Sequence, residues 1–114
     1  MRVEGLVFAG VATRDPAALA AFFAAALGAE AVDEDGYHRI LFPNGSSLAV
    51  VPPDWVPPPS DTNLGFLVGD LDAAAAELEA LGVQSDGVAS EGGGFRYRHF
   101  RAPDGRVFEL IERT

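Results

Sequence analysis

The chain repeats itself. Asp15 and Asp70 stand 55 residues apart, each following an apolar, strand-like segment and opening a helical one. Leu27-Gly28 and Leu81-Gly82 close those helical segments, 54 residues apart. Pro43-Asn44-Gly45 and Pro103-Asp104-Gly105 lie 60 apart, each between two further strand-like segments. Strand, Asp cap, glycine stop and Pro-Asx-Gly turn, in the same order twice, mark an internal duplication. Each copy reads β-α-β-β-β, module one over 1–51 and module two over 63–114. Between them, Pro52 to Thr62 holds five prolines and excludes a helix or a central strand. The fold class is α+β: two tandem βαβββ modules in one domain of 114 residues. One helix covers one face of a small sheet, so each module keeps an open face. Two open faces set toward each other make a cleft.

The elements follow from local chemistry. Arg2 to Ala12 reads as a strand, and Asp15-Pro16 opens a helix, with Asp capping free amides and Pro at the first helical position. Leu19, Phe22, Phe23 and Ala26 recur at helical spacing, and the apolar run Ala17 to Ala29 predicts a buried helix. That run follows Glu4 and Asp15 and is shorter than the roughly twenty residues a bilayer needs, so it is read as neither signal peptide nor span. Strands are predicted over 31–33, 37–42, 47–51 and 63–68, with a helix after Asp70 carrying Leu71, Ala75 and Leu78 on one face. A weak strand is expected within 83–89, a flexible break at Gly92-Gly93-Gly94, and strands over 95–101 and 106–112.

Alternation along each strand sorts side chains between core and cleft. The apolar sets Val7, Ala9 and Val11; Leu64, Phe66 and Val68; and Phe108 and Leu110 are assigned to the core. The cleft then receives Phe8 and Gly10; Asn63, Gly65 and Leu67; and Val107, Glu109 and Ile111. Glu109 is a lone carboxylate in an apolar strand. Matching the two Pro-Asx-Gly turns places Ala49 at the equivalent point of module one.

Composition removes several classes of function. With no cysteine, disulfides, thiolate metal sites and cysteine nucleophiles are excluded, in agreement with a reducing cytoplasm. The net charge is −9, there is no lysine, and residues 1–95 carry three Arg against fourteen acids. Five Arg against three acids in 96–114 do not make the dense basic face that nucleic acid requires. No phosphate-cradling loop or Ser-His-Asp arrangement is present.

Three segments carry the resemblance to a known family: Val11-Ala12-Thr13-Arg14-Asp15-Pro16, Gly65-Phe66-Leu67-Val68-Gly69-Asp70-Leu71-Asp72, and Ala102-Pro103-Asp104-Gly105-Arg106-Val107-Phe108-Glu109-Leu110. The chain resembles the glyoxalase / bleomycin-resistance / extradiol-dioxygenase superfamily, also called vicinal oxygen chelate, over nearly its whole length. Metal-binding members place four ligands in the cleft. By position these correspond to Phe8, Ala49, Asn63 and Glu109. Only Glu109 has ordinary ligand chemistry, Phe8 and Ala49 cannot coordinate, and Asn63 offers a neutral amide. No metal and no other cofactor is therefore expected.

The resemblance implies a homodimer that sequesters a small molecule, with no nucleic-acid or membrane partner. The expected ligand-binding set is Phe8, Ala49, Trp55, Asn63, Leu67, Tyr97, Arg101, Val107 and Ile111, suited to an apolar or aromatic compound. Glu109 and His99 are the catalytic candidates, as a proton-transfer pair. Glu109 reads alternatively as a structural carboxylate paired with an Arg such as Arg101. Trp55 reads either as a lid that stacks on a flat ligand or as an anchor for the linker. His38 reads as surface or structural. The alternative function is a glyoxalase-like lyase, isomerase or dioxygenase acting on a small carbonyl or vicinal-oxygen substrate, with Glu109 as base or metal ligand.

Overall fold

In the computed structural model, which describes residues 1–114, the two modules join edge to edge through their first strands. Module one contains β1 (Val3–Ala12), α1 (Pro16–Leu27), β2 (Glu30–Glu34), β3 (Tyr37–Leu41) and β4 (Ser47–Val51). Module two contains β5 (Thr62–Val68), α2 (Leu71–Ala80), β6 (Ser90–Gly92), β7 (Phe95–Arg101) and β8 (Val107–Arg113). The strands form one curled sheet in the order β2-β3-β4-β1-β5-β8-β7-β6. Each module therefore contributes the same internal order, reversed about the antiparallel β1–β5 seam. The cleft is the concave face of that single sheet, where the sequence suggested two separate sheets facing one another.

The duplication extends to register. β1 runs parallel to β4 with Gly10 opposite Ala49, and β5 runs parallel to β8 with Gly65 opposite Glu109. Gly10 and Gly65 are 55 residues apart, and Ala49 and Glu109 are 60 apart, the same offsets as the caps and turns. Both helices start as their Asp caps dictate: Asp15 Oδ1 accepts from Ala18 N at 3.1 Å and Asp70 Oδ1 from Ala73 N at 3.0 Å. Glu112 on β8 adds a third acceptor, taking Leu71 N at 3.0 Å and tying α2 to the sheet.

The helices pack on the convex side. Leu71, Ala74 and Ala75 of α2 bury against Val68, Phe100 and Leu110. Ala20 of α1 buries against Ile40 and Val50, flanked by Leu19 and Phe23. The helix stripe is narrower than expected. Phe22 is 63% exposed and Leu27 is also outside, so α1 is not the buried helix its composition predicts. One helix lying on a four-stranded half-sheet has only one face to hide, and an all-apolar sequence leaves the other bare.

Three further expectations change. The segment 83–89 forms no strand beyond the isolated Ser85–Phe100 bridge. It runs beside β7 through Asp86 N to His99 O and Arg101 N to Gln84 O, and Gly87 at φ 111° breaks the extended path. The second strand of module two instead falls at 90–92. Gly93 and Gly94 both take positive φ, as a two-residue hairpin turn between β6 and β7 requires. The linker holds one 3₁₀ turn, Pro53–Trp55, with proline at its first position.

Candidate functional site

A cavity of about 300 Å³ opens on the concave face. Its floor comes from the middle of the sheet: Phe8 and Gly10 on β1, Ala49 and Val51 on β4, Asn63 on β5, and Glu109 and Ile111 on β8. Phe95, Tyr97 and His99 on β7 form one wall, and Tyr37 and Arg39 on β3 form the other. Trp55 and Val56 reach over from the linker, and Gly92 and Gly93 complete the rim. Five aromatic rings thus surround a small polar patch. The volume is at the lower end of ligand-binding cavities and suits a mono- or bicyclic compound.

Glu109 is the buried charge of that patch, with 4% of its surface exposed. His99 sits directly across the β7–β8 ladder from it, and Nε2 lies 3.0 Å from Glu109 Oε2. The same Nε2 lies 3.3 Å from Asn63 Nδ2, and Asn63 Oδ1 is buried with no hydrogen-bond partner. One ring nitrogen carries either a hydrogen or a lone pair. It can donate to the carboxylate or accept from the amide, but it cannot do both. Burial, and secondarily the Glu109 charge, pushes the Tyr97 phenol above its usual value, so Tyr97 stays a neutral hydroxyl.

Room for Glu109 depends on Gly65. Gly65 sits between Phe8 on β1 and Glu109 on β8 in register. A Cβ there would stand 2.5 Å from Ile111 Cδ1, 3.0 Å from Phe8 Cβ and 3.2 Å from Glu109 Oε1. Hydrogen in place of a side chain lets the three meet over the seam.

The expected site residues divide by position along their strands. Phe8, Ala49, Trp55, Asn63, Tyr97, His99, Glu109 and Ile111 line the cavity together. Leu67, Val107 and Arg101 do not. Leu67 pairs with Ile111 on one side and Gly5 on the other and is buried, but it does not line the cavity. Val107 faces a side cavity of about 100 Å³ that Trp55, Asn63, Asp86 and His99 also touch. Arg101, at the end of β7, donates to the carbonyls of Gly105 at 2.8 Å and Pro58 at 3.4 Å and to Asp86 at 3.3 Å. It clamps the turn and linker, while Glu109 pairs with His99 instead. The strand bulge between Leu6 and Phe8 moves Val7 from its assigned core position to the cavity edge.

Several lining residues escaped the sequence reading. Phe95 shares its strand face with Tyr97 and His99, and Arg39 pairs directly opposite Ala49. Alternation and cross-strand pairing, carried one step further, identify both. Arg39 Nε stands 3.0 Å from Glu34 Oε1, out of line for a hydrogen bond, as a charge contact. Trp55 packs on Tyr37 at 5.4 Å between centroids and stays half exposed at the rim, while Val56, 6% exposed, fixes the linker in the concave face. His38 lies 3.7 Å from Asp33, away from the cavity.

The donor set does not fit the four-ligand metal centre that the resemblance implies. Nowhere do three His, Cys, Asp or Glu side chains converge. Glu109 and His99 already oppose each other, Asn63 is a neutral amide, and Phe8 and Ala49 fill the remaining positions.

The sequence profile of a family described as a glyoxalase-like domain matches residues 7–111. Among solved structures, a Streptomyces coelicolor methylmalonyl-CoA epimerase variant in complex with 2-nitronate-propionyl-CoA is similar at 21% identity and TM-score 0.74, covering 99% of each chain. Methylmalonyl-CoA epimerase from Mycobacterium tuberculosis matches at 24% identity and TM-score 0.70, covering 98% of this chain and 89% of that one. A structure described as an NAD-dependent benzaldehyde dehydrogenase from Legionella pneumophila matches at 12% identity and TM-score 0.67, covering 94% and 98%. At these identities the likeness is one of fold. No curated protein sequence matches the chain significantly.

Proposed function

The chain belongs to the glyoxalase-like domain family of the vicinal oxygen chelate superfamily, and on that premise we propose that it is a metal-independent small-molecule-binding protein. Its ligand is an apolar or aromatic compound held in the concave cavity. The carrying observation is the cavity itself: about 300 Å³ walled by Phe8, Tyr37, Trp55, Phe95 and Tyr97 over a buried Glu109–His99 pair. Aromatic walls contribute apolar contact and stacking, and a few convergent polar atoms orient the bound molecule. Trp55 is the chain's one tryptophan and stands at the rim, so its fluorescence reports occupancy. Titration with a panel of aromatic drugs and quinones is expected to give saturable quenching by at least one member. Linear, unsaturable quenching throughout would overturn the reading.

A second reading has its own support. Glu109 is buried beside an imidazole, the arrangement a general base needs to take a proton from carbon next to a carbonyl. On that reading the chain is a glyoxalase-like isomerase or lyase without a metal. Solvent deuterium entering a bound carbonyl probe, and ceasing to enter in Glu109→Gln, would favour it over simple binding. Exchange that persists in the variant would remove it.

A further inference from the structure

The polar end of the cavity is short of hydrogens. Its acceptors are the two oxygens of Glu109, Asn63 Oδ1 and, in one tautomer, His99 Nε2. Asn63 Oδ1 has no partner, and His99 Nε2 is contested between Glu109 and Asn63. As a neutral imidazole that donates to Glu109, His99 leaves the carboxylate's charge uncancelled and Asn63 Nδ2 without an acceptor. The one arginine on the lining, Arg39, is already matched by Glu34 at 3.0 Å and has its guanidinium tip against Gly93 at the rim. A buried carboxylate without a full set of donors is costly, and an incoming group that supplies them recovers that cost as binding energy.

We propose that the ligand of this cavity carries a protonated amine on an aromatic body, and that its ammonium group donates to Glu109. This rests on the small-molecule-binding reading above and specifies its ligand class. An ammonium brings three donors and no acceptor, which is what the cluster lacks. His99 Nε2 can then keep its hydrogen on Glu109 Oε2 while the ammonium donates to the carboxylate and balances its charge. The rings around the patch add cation–π attraction and hold the aromatic body. An anionic head would face Glu109 with like charge and no free cation close by.

The experiment compares three probes of one shape by calorimetry: 1-naphthylmethylamine, 1-naphthalenemethanol and 1-naphthoate, all at pH 7. The amine is expected to bind about tenfold or more tighter than the alcohol, as charge-assisted hydrogen bonds exceed neutral ones, and the carboxylate weakest. In Glu109→Gln, verified as folded by its thermal transition, the amine-to-alcohol ratio is expected to fall to about two or less. If alcohol or carboxylate binds the wild-type chain as tightly as the amine, the amine proposal fails while the binding reading stands. If none of the three binds, the binding reading fails and takes this inference with it.

Discussion

Gly65→Ala is expected to weaken aromatic-ligand binding by about tenfold or more and to lower stability by about 1–3 kcal/mol. One methyl group has this reach because of where the residue sits. Gly65 lies on the seam between modules, with Phe8 opposite it on one side and Glu109 on the other. The new Cβ meets Ile111 Cδ1 at 2.5 Å, which side-chain rotation can relieve only by moving Ile111, a lining residue, from its place. It also meets Phe8 Cβ at 3.0 Å, and that atom withdraws only if β1 moves. Both adjustments reshape the cavity floor and shift Glu109, whose Oε1 stands 3.2 Å away. Urea unfolding gives the stability change and Trp55 fluorescence the affinity change. Unaltered affinity in a folded Gly65→Ala protein would show that the floor does not hold the ligand.

Phe100→Ala is expected to produce the largest loss of stability, about 3–5 kcal/mol. Phe100 is fully buried on the convex side, where it packs with Phe108 at 5.9 Å between centroids and with Leu71 at the start of α2. Arg98 lies over its ring at 5.7 Å. The void is hard to fill, since Ala74 and Ala75 of α2 are too short to reach into it and Leu71 and Leu110 are already buried in the same cluster. Set against the about 5–15 kcal/mol by which small domains are stable, this loss consumes a large share. Phe100 points away from the cavity, so the folded fraction should bind ligand as the wild type does. Differential scanning calorimetry reads the first effect. A loss below about 1 kcal/mol would mean that α2 closes over the gap.

The two substitutions sit on opposite faces of one sheet, and strand alternation made that division legible. Phe8, Asn63 and Glu109 could be placed on a common face because each strand's apolar partners occupy the other parity, and they do meet in one cavity. The duplication was legible for the same reason: Asp caps and Pro-Asx-Gly turns are local chemistry that needs no tertiary context. Parity fixes the side of a sheet and says nothing of distance along it. Leu67, Val107 and Arg101 have the right parity and still do not line the cavity. Parity also fails where register slips, which is how the β1 bulge carried Val7 to the cavity edge.

Other features depended on contacts that no single segment encodes. The modules join through β1–β5 pairing, a backbone event with no side-chain signature, so two opposed sheets and one curled sheet read alike in sequence. The composition of α1 predicts burial, yet exposure is set by how much surface lies against it, and here only Ala20 is fully covered. The Glu109–His99 contact was within reach of the sequence, which already offered the two as a proton-transfer pair. The competition of Glu109 and Asn63 for one ring nitrogen required coordinates.

The most direct test is a crystal structure of the protein dialysed against a chelator and then soaked with 1-naphthylmethylamine. The naphthalene ring should lie between Phe8, Tyr37 and Phe95, with its nitrogen within hydrogen-bond distance of a Glu109 oxygen and no metal ion beside it. A ring bound elsewhere, or a cavity that takes up the amine only when a divalent ion is restored to Glu109, would contradict the account.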